Sequence, residues 1–198
     1  MKPQILIIAI ALFSAGCAAS YKQIDPPHLS YLSKNVNKLV TFEYQYSILQ
    51  PKYAKKEKKF DIRLIAVKIT NNTDNDLVFG ENAKLYFGNG SEVLMINKDQ
   101  VYSNLKQKIW YHLFYLWLSG VSLPSNDPSK TGPLIGLLIG PPLAARNILV
   151  ARSSNSKFKN ELNEYYLTRG ALLKSKSTVY GLIGVKTRNY EGIVIKVE

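Results

Sequence analysis

Strict alternation from Val40 to Ile48 is the feature that most constrains the fold of this chain. Apolar or aromatic side chains occupy every even position, and polar side chains occupy the positions between them. Because successive side chains of a strand point to opposite faces, this pattern predicts a strand with one buried face. The segment Asp61–Thr70 is apolar on both faces in its middle, which predicts a strand inside a sheet. Pro51 ends the first strand, and the lysine-rich residues 55–59 between the two predict a solvated loop.

Five further strands follow from the same kind of pattern. Asn and Asp side chains between residues 71 and 76 form a strong turn signal, because they bond their own backbone. Short strands separated by polar turns predict a mainly β protein, an immunoglobulin-like β-sandwich with a helical insertion at about residues 105–167. The five additional strands are predicted at 77–79, 83–87, 92–96, 177–186 and 192–197.

Two of these strands carry a resemblance to a known group of proteins. Residues 67–73 read Val-Lys-Ile-Thr-Asn-Asn-Thr, and residues 179–183 read Val-Tyr-Gly-Leu-Ile. Both resemble segments of the immunoglobulin-like domain found in uncharacterised bacterial lipoproteins. The resemblance covers about residues 17–198. It implies an extracytoplasmic, non-catalytic domain and names no ligand.

The predicted insertion begins with an unusually apolar segment. From Ile109 to Leu118 the chain is apolar or aromatic almost throughout, and Leu105, Ile109, Leu113 and Leu116 share one face at α-helical spacing. Residues 109–123 would form a helix of about 22 Å, too short to cross a hydrocarbon core of about 30 Å. The aromatic members, which are candidate membrane or partner contacts, are Trp110, Tyr111, Phe114, Tyr115 and Trp117.

The second part of the insertion predicts two helices. Gly132, Gly136 and Gly140 repeat every four residues, a spacing that lets helices approach closely. Pro141 and Pro142 are expected to end that segment and to start the next one, with another helix from Lys157. Three interpretations remain open for residues 105–151: an added layer of core, a hairpin in the lipid interface, or a docking face for a partner. The first requires both tryptophans to be buried, whereas the second requires them to be exposed.

The first seventeen residues predict export. A short positive start is followed by nine apolar residues, Ile5–Phe13, which is the length of a signal-peptide core. Small residues then lead to Cys17, the only cysteine of the chain. This arrangement resembles the lipobox of bacterial lipoproteins. The resemblance implies cleavage between Gly16 and Cys17 and attachment of fatty acyl groups such as palmitate at Cys17.

An ordinary secretory signal cut near Ala18 is the alternative interpretation of this segment. With the lipobox, the predicted organisation is a signal peptide at 1–16, a lipid-anchored tether at 17–37 and the β-sandwich at 38–198. Ala18 directly after the cysteine favours the outer membrane, again by resemblance. The predicted location is therefore the cell envelope.

Composition limits the chemistry of the protein. A single cysteine excludes a disulfide framework, and two distant histidines argue against a metal site. No catalytic motif is found, so we expect no enzyme, no cofactor and no metal. The formal charge of +12 favours anionic lipid or polysaccharide, and export argues against nucleic acid.

The sequence thus predicts an envelope lipoprotein with a binding or structural role. Its expected contacts are the membrane, through the Cys17 anchor, and an envelope protein or an anionic surface. Two alternatives are a membrane-interacting lipoprotein that uses residues 105–151 and an envelope-polymer hydrolase.

Overall fold

A computed structural model describes residues 17–122, 134 and 136–198. Helices take up 37% of the described residues and strands 28%. The prediction of a mainly β protein is therefore wrong, because helix and strand are mixed. The predicted signal peptide, with Gly16 of the cleavage site, lies outside the described residues.

The chain divides into two compact units. The described part of unit 1 consists of residues 17–21, 107–122, 134 and 136–156. Unit 2 consists of Lys22–Lys106 and Lys157–Glu198. The segment expected to be an insertion in a sandwich thus groups mainly with the residues that follow Cys17.

Unit 2 is built on antiparallel strands. In chain order they are β1 (Ser33–Val36), β2 (Val40–Gln45), β3 (Ile62–Asn71), β4 (Leu77–Val78), β5 (Ala83–Phe87), β6 (Met95–Ile96), β7 (Leu172–Leu173), β8 (Thr178–Lys186) and β9 (Ile193–Val197). A five-stranded sheet has the order β1-β2-β3-β8-β6, and β4 pairs with β7 and β5 with β9. All seven predicted strands are confirmed. This arrangement does not clearly correspond to an immunoglobulin sandwich.

The central strand is β3, as its two apolar faces predicted. It pairs with β8 over nine residues, from Ile62 opposite Lys186 to Thr70 opposite Thr178. Its other edge pairs with β2, whose alternate residues Val40, Phe42 and Tyr44 are buried. The core of unit 2 lies against these strands and includes Phe42, Ile65, Val67, Ile69, Phe79, Leu173 and Ile183.

Helix α1 (Pro51–Phe60) replaces the predicted lysine-rich loop. Pro51 occupies the first turn, where its missing N–H removes no helical hydrogen bond. Tyr53 and Glu57 lie one turn apart and are both buried, whereas Lys55 and Lys58 are exposed. The loop prediction failed because a charge run can also be the solvent face of a helix with a narrow buried face.

The remaining helices are α2 (Lys98–Leu105), a 3-10 helix (Ile109–Gly120) that we call the aromatic helix, and α3 (Gly136–Tyr165). A 3-10 turn also forms at Pro26–His28. Pro141 and Pro142 lie inside α3 and do not end it, and α3 continues past Lys157, so the glycine segment and the two expected helices form one helix. Each proline removes one backbone donor, and the carbonyls that lose a partner belong to Leu137 and Leu138, both exposed.

Glu57 is a buried carboxyl in unit 2. Its side chain is 2% exposed, and its Oε1 accepts a hydrogen bond from the Leu64 N–H at 2.8 Å. Burial raises the pKa of Glu57 to about 7, although the Leu64 N–H and the charge of Arg63 oppose this shift. The folded protein therefore holds a proton here at pH values where the unfolded chain has lost it.

We predict that this group makes unit 2 less stable as the pH rises. The stabilisation is complete below pH 4.5 and is lost as the pH passes through about 7. The free energy of unfolding should fall by up to about 3 kcal/mol across this window, measured by urea denaturation with circular dichroism. Glu57→Gln should remove that part of the pH dependence.

Glu81→Gln is the matched control, because Glu81 is an exposed glutamate of the same unit. It should keep the wild-type pH dependence. An unchanged pH dependence in Glu57→Gln would contradict the assignment.

Candidate membrane-contacting surface

The aromatic helix exposes its side chains with a period of three residues. Its inner positions are 109, 112, 115 and 118, which are buried or half-buried, and most positions between them are exposed. A 3-10 helix has three residues per turn, so side chains three apart lie above one another. The α-helical face expected for Leu105, Ile109, Leu113 and Leu116 is therefore wrong: Leu113 and Leu116 are exposed.

Four of the five predicted aromatic contacts form an exposed row. Trp110 is 52% exposed and Trp117 is 84% exposed. Ring contacts connect Trp110 to Tyr111 at 3.8 Å, Trp110 to Phe114 at 6.3 Å and Phe114 to Trp117 at 6.4 Å between centroids. We call Trp110, Tyr111, Phe114 and Trp117 the aromatic surface. The interpretation of this block as an added layer of core is wrong, because it required both tryptophans to be buried.

The inner face of the aromatic helix packs on the glycines of α3. A Cβ added to Gly140 would lie 2.7 Å from the Tyr115 carbonyl oxygen, and one added to Gly136 would overlap the Leu118 carbonyl. Only residues without side chains allow this approach. The glycine spacing thus marks a helix contact, as the sequence indicated for Gly136 and Gly140; Gly132 lies outside the described residues.

Helix α3 also presents apolar side chains outward in unit 1. Leu138 is 79% exposed and Leu149 is 66% exposed, three turns apart on one face. Arg146 and Arg152 flank Leu149 and are exposed as well. The described residues of unit 1 contain Lys108, Arg146 and Arg152 and no Asp or Glu. The described part of this unit therefore combines exposed apolar side chains with positive charge only.

Cys17 lies beside the aromatic helix. It is partly exposed, and it lies beside the side chain of Tyr115. Burial, and then the neighbouring Cys17 thiol, raise the pKa of Tyr115 above its ordinary value. Tyr115 is thus the one predicted aromatic contact that faces inward, and it connects the candidate lipidation site to the aromatic helix.

The residues after Cys17 are held by a buried polar network. The Ala18 N–H donates to Asn147 Oδ1 at 2.7 Å, and the Tyr21 N–H donates to Ser154 Oγ at 3.1 Å. The Gln107 amide accepts from the Ala19 N–H at 3.1 Å and donates to the Ala19 carbonyl at 2.6 Å. Gln107, Asn147 and Ser154 are each at most 3% exposed. Backbone donors that would be costly to bury unpaired are therefore satisfied.

The spacing of these acceptors matches the chain that they hold. Asn147 and Ser154 are seven residues apart on α3, whereas Ala18 and Tyr21 are three residues apart. Seven residues of α-helix rise about 10.5 Å, and three residues of extended chain cover about 10 Å. In unit 2, Glu161 accepts from the Ile24 and Asp25 N–H groups at 2.5 and 3.2 Å. The predicted tether at 17–37 is therefore ordered in part, and it also contains β1.

Sequence reasoning missed this network. Its members are uncharged or isolated polar residues, and their seven-residue spacing in an α-helix is visible in the sequence only once the helix is known to be continuous. The exposed leucines of α3 were missed for a related reason, since the prolines were expected to divide the helix.

Three other observations concern the described residues. In unit 2, a groove of about 580 Å³ is lined by Leu85, Met95, Tyr166 and Arg169, among others. At its rim Arg169 pairs with Glu92 at 3.5 Å. Within the described ranges no group of three His, Cys, Asp or Glu side chains could hold a metal ion. No helix in that part of the chain is both long enough and apolar enough to span a bilayer.

Comparison of the chain with protein-family models, curated proteins and solved structures gives no match.

We predict that Asn147 fixes the segment that follows Cys17. Asn147→Ala leaves the Ala18 N–H without its acceptor, which should cost about 1–3 kcal/mol. Hydrogen exchange of the amides of residues 18–21, measured by mass spectrometry, should become faster by an order of magnitude or more. Asn160→Ala, the same substitution at an exposed position of α3, is the control and should leave this exchange unchanged. Equally slow exchange in Asn147→Ala would contradict the role of the network.

Proposed function

We propose that the protein is a cell-envelope lipoprotein, anchored in a membrane through Cys17, with a non-catalytic role. The observation that carries this proposal is the position of Cys17, beside Tyr115 in the unit that exposes the aromatic surface. A thiol that receives acyl groups must lie where those groups can enter a bilayer. Exposed apolar side chains in the same unit meet that requirement.

The sequence around Cys17 supports the same proposal. Nine apolar residues, three small residues and a single cysteine are the arrangement of a lipoprotein signal. One cysteine in the whole chain leaves no second thiol for an oxidising compartment. Each buried CH₂ contributes about 0.8 kcal/mol, and stable anchoring takes two acyl chains or one chain with a second membrane contact.

Unit 2 is the body that such an anchor would carry. We propose that it is the extracytoplasmic domain, related to the immunoglobulin-like domains that residues 67–73 and 179–183 resemble. Its antiparallel sheet and its buried central strand are compatible with that relationship. Ala18 after the anchor favours the outer membrane as its location.

We predict that Cys17 is the only site of acylation. Cells expressing the full-length chain would be fed an alkyne-tagged palmitate, and the protein would be isolated and tested for the tag. The wild type should carry it, and Cys17→Ser should carry none because the chain has no other cysteine. Cys17→Ser should also retain the first sixteen residues and migrate as a larger precursor.

Ala18→Ser serves as the matched control. It changes the next residue and keeps the thiol, so labelling should persist. Absence of label from the wild type, or its persistence in Cys17→Ser, would contradict the proposal.

A further inference from the structure

We infer that the aromatic surface, together with the outward face of α3, binds the surface of an anionic bilayer directly. This inference rests on the proposed function for the location of the protein, and it assigns the anchored protein a second membrane contact. The contact is made by side chains and is separate from the acyl groups on Cys17.

The residue types fit the interface of a bilayer. Tryptophan and tyrosine are enriched where headgroups meet acyl chains, because one part of each ring is apolar and the other is polar. The aromatic surface contains two tryptophans and one tyrosine, and Phe114 lies among them. Isolated exposed apolar residues are ordinary, but a connected row of large rings marks a binding surface.

The dimensions of the aromatic helix place it along the interface. Twelve residues of 3-10 helix measure about 24 Å, shorter than the hydrocarbon core of about 30 Å. The inner side chains, at positions 109, 112, 115 and 118, lie on one side of this helix, and the exposed rings lie on the other sides. A helix of this kind can bury its exposed rings at the headgroup boundary without crossing the bilayer.

The charges select an anionic surface. Lys108 precedes the aromatic helix, and Arg146 and Arg152 flank the exposed Leu149 on α3. The described residues of unit 1 contain no carboxylate to oppose them. Each cation near an anionic membrane contributes about 1 kcal/mol of attraction. Apolar and cationic side chains therefore act on the same type of surface.

The position of Cys17 favours a bilayer over a protein as the occupant. Cys17 lies beside Tyr115, so the acylated residue is next to the aromatic helix. Asn147, Gln107 and Ser154 bind the backbone of residues 18–21. The acyl groups on Cys17 are therefore attached at a fixed position in unit 1. The membrane that receives the anchor is thereby within reach of the exposed rings.

The intrinsic fluorescence of the native protein tests this inference. The chain has two tryptophans, Trp110 and Trp117, and both belong to the aromatic surface. The acylated protein would be purified from membranes and reconstituted into vesicles of brominated phosphatidylcholine, with and without one third phosphatidylglycerol. We expect quenching by the brominated chains, a blue shift and protection from aqueous acrylamide, all stronger with phosphatidylglycerol.

Two double variants test the role of charge. Arg146→Gln with Arg152→Gln should lower the equilibrium constant for tryptophan insertion on anionic vesicles by roughly tenfold or more, because two cations are lost. Lys55→Gln with Lys58→Gln removes the same charge from exposed positions of α1 in unit 2 and should leave insertion unchanged.

The outcomes separate this inference from the proposed function. An acylated protein whose tryptophans stay accessible to acrylamide and unquenched by brominated lipid would overturn the inference and leave the anchor in place. Tryptophans that are protected from acrylamide yet unquenched would also overturn it, since a protein would then cover them. A purified protein without acyl groups would instead contradict the proposed function.

Discussion

Hydrogen bonds between the backbone that follows Cys17 and the buried side chains of Gln107, Asn147 and Ser154 are the interaction on which unit 1 depends. Asn147, Ser154 and Gln107 are buried, so each would destabilise the fold if its partner were missing. Their partners are the N–H and carbonyl groups of residues 18–21. The start of the described chain is thus a structural part of unit 1, and a group attached to Cys17 is held close to the aromatic helix.

The period of the aromatic helix explains the surface of this unit. With three residues per turn, a single row of side chains faces inward. On this side the backbone carbonyls of Tyr115 and Leu118 approach Gly140 and Gly136 of α3. The side chains of the other two rows are mostly apolar, and most of them are exposed. These exposed apolar rows are the observation on which the proposed contact with a bilayer rests.

Much of unit 2 could be predicted from the sequence. For unit 1, the sequence identified the candidate aromatic residues but did not determine which of them are exposed. Strands β2 and β3 follow from alternation and from burial on both faces, since side-chain direction in a strand depends on position alone. The lysines of α1 led to the prediction of a loop, although Tyr53 and Glu57 in the same segment form the buried face of a helix. Trp110 and Trp117 were recognisable as candidates, but their exposure depends on the choice between 3.0 and 3.6 residues per turn. Packing against α3 sets the number of residues per turn, and the sequence of the aromatic helix alone gives no information about that packing.

The central claim is that a lipid on Cys17 fixes this protein at a membrane. The mass of the amino-terminal fragment, taken from protein isolated from its native membrane, measures this most directly. We predict a chain that begins at Cys17 and carries a diacylglyceryl thioether, with a further acyl group where the amine is modified. A chain that begins after residue 17, or a Cys17 with an unmodified sulfur, would contradict the account.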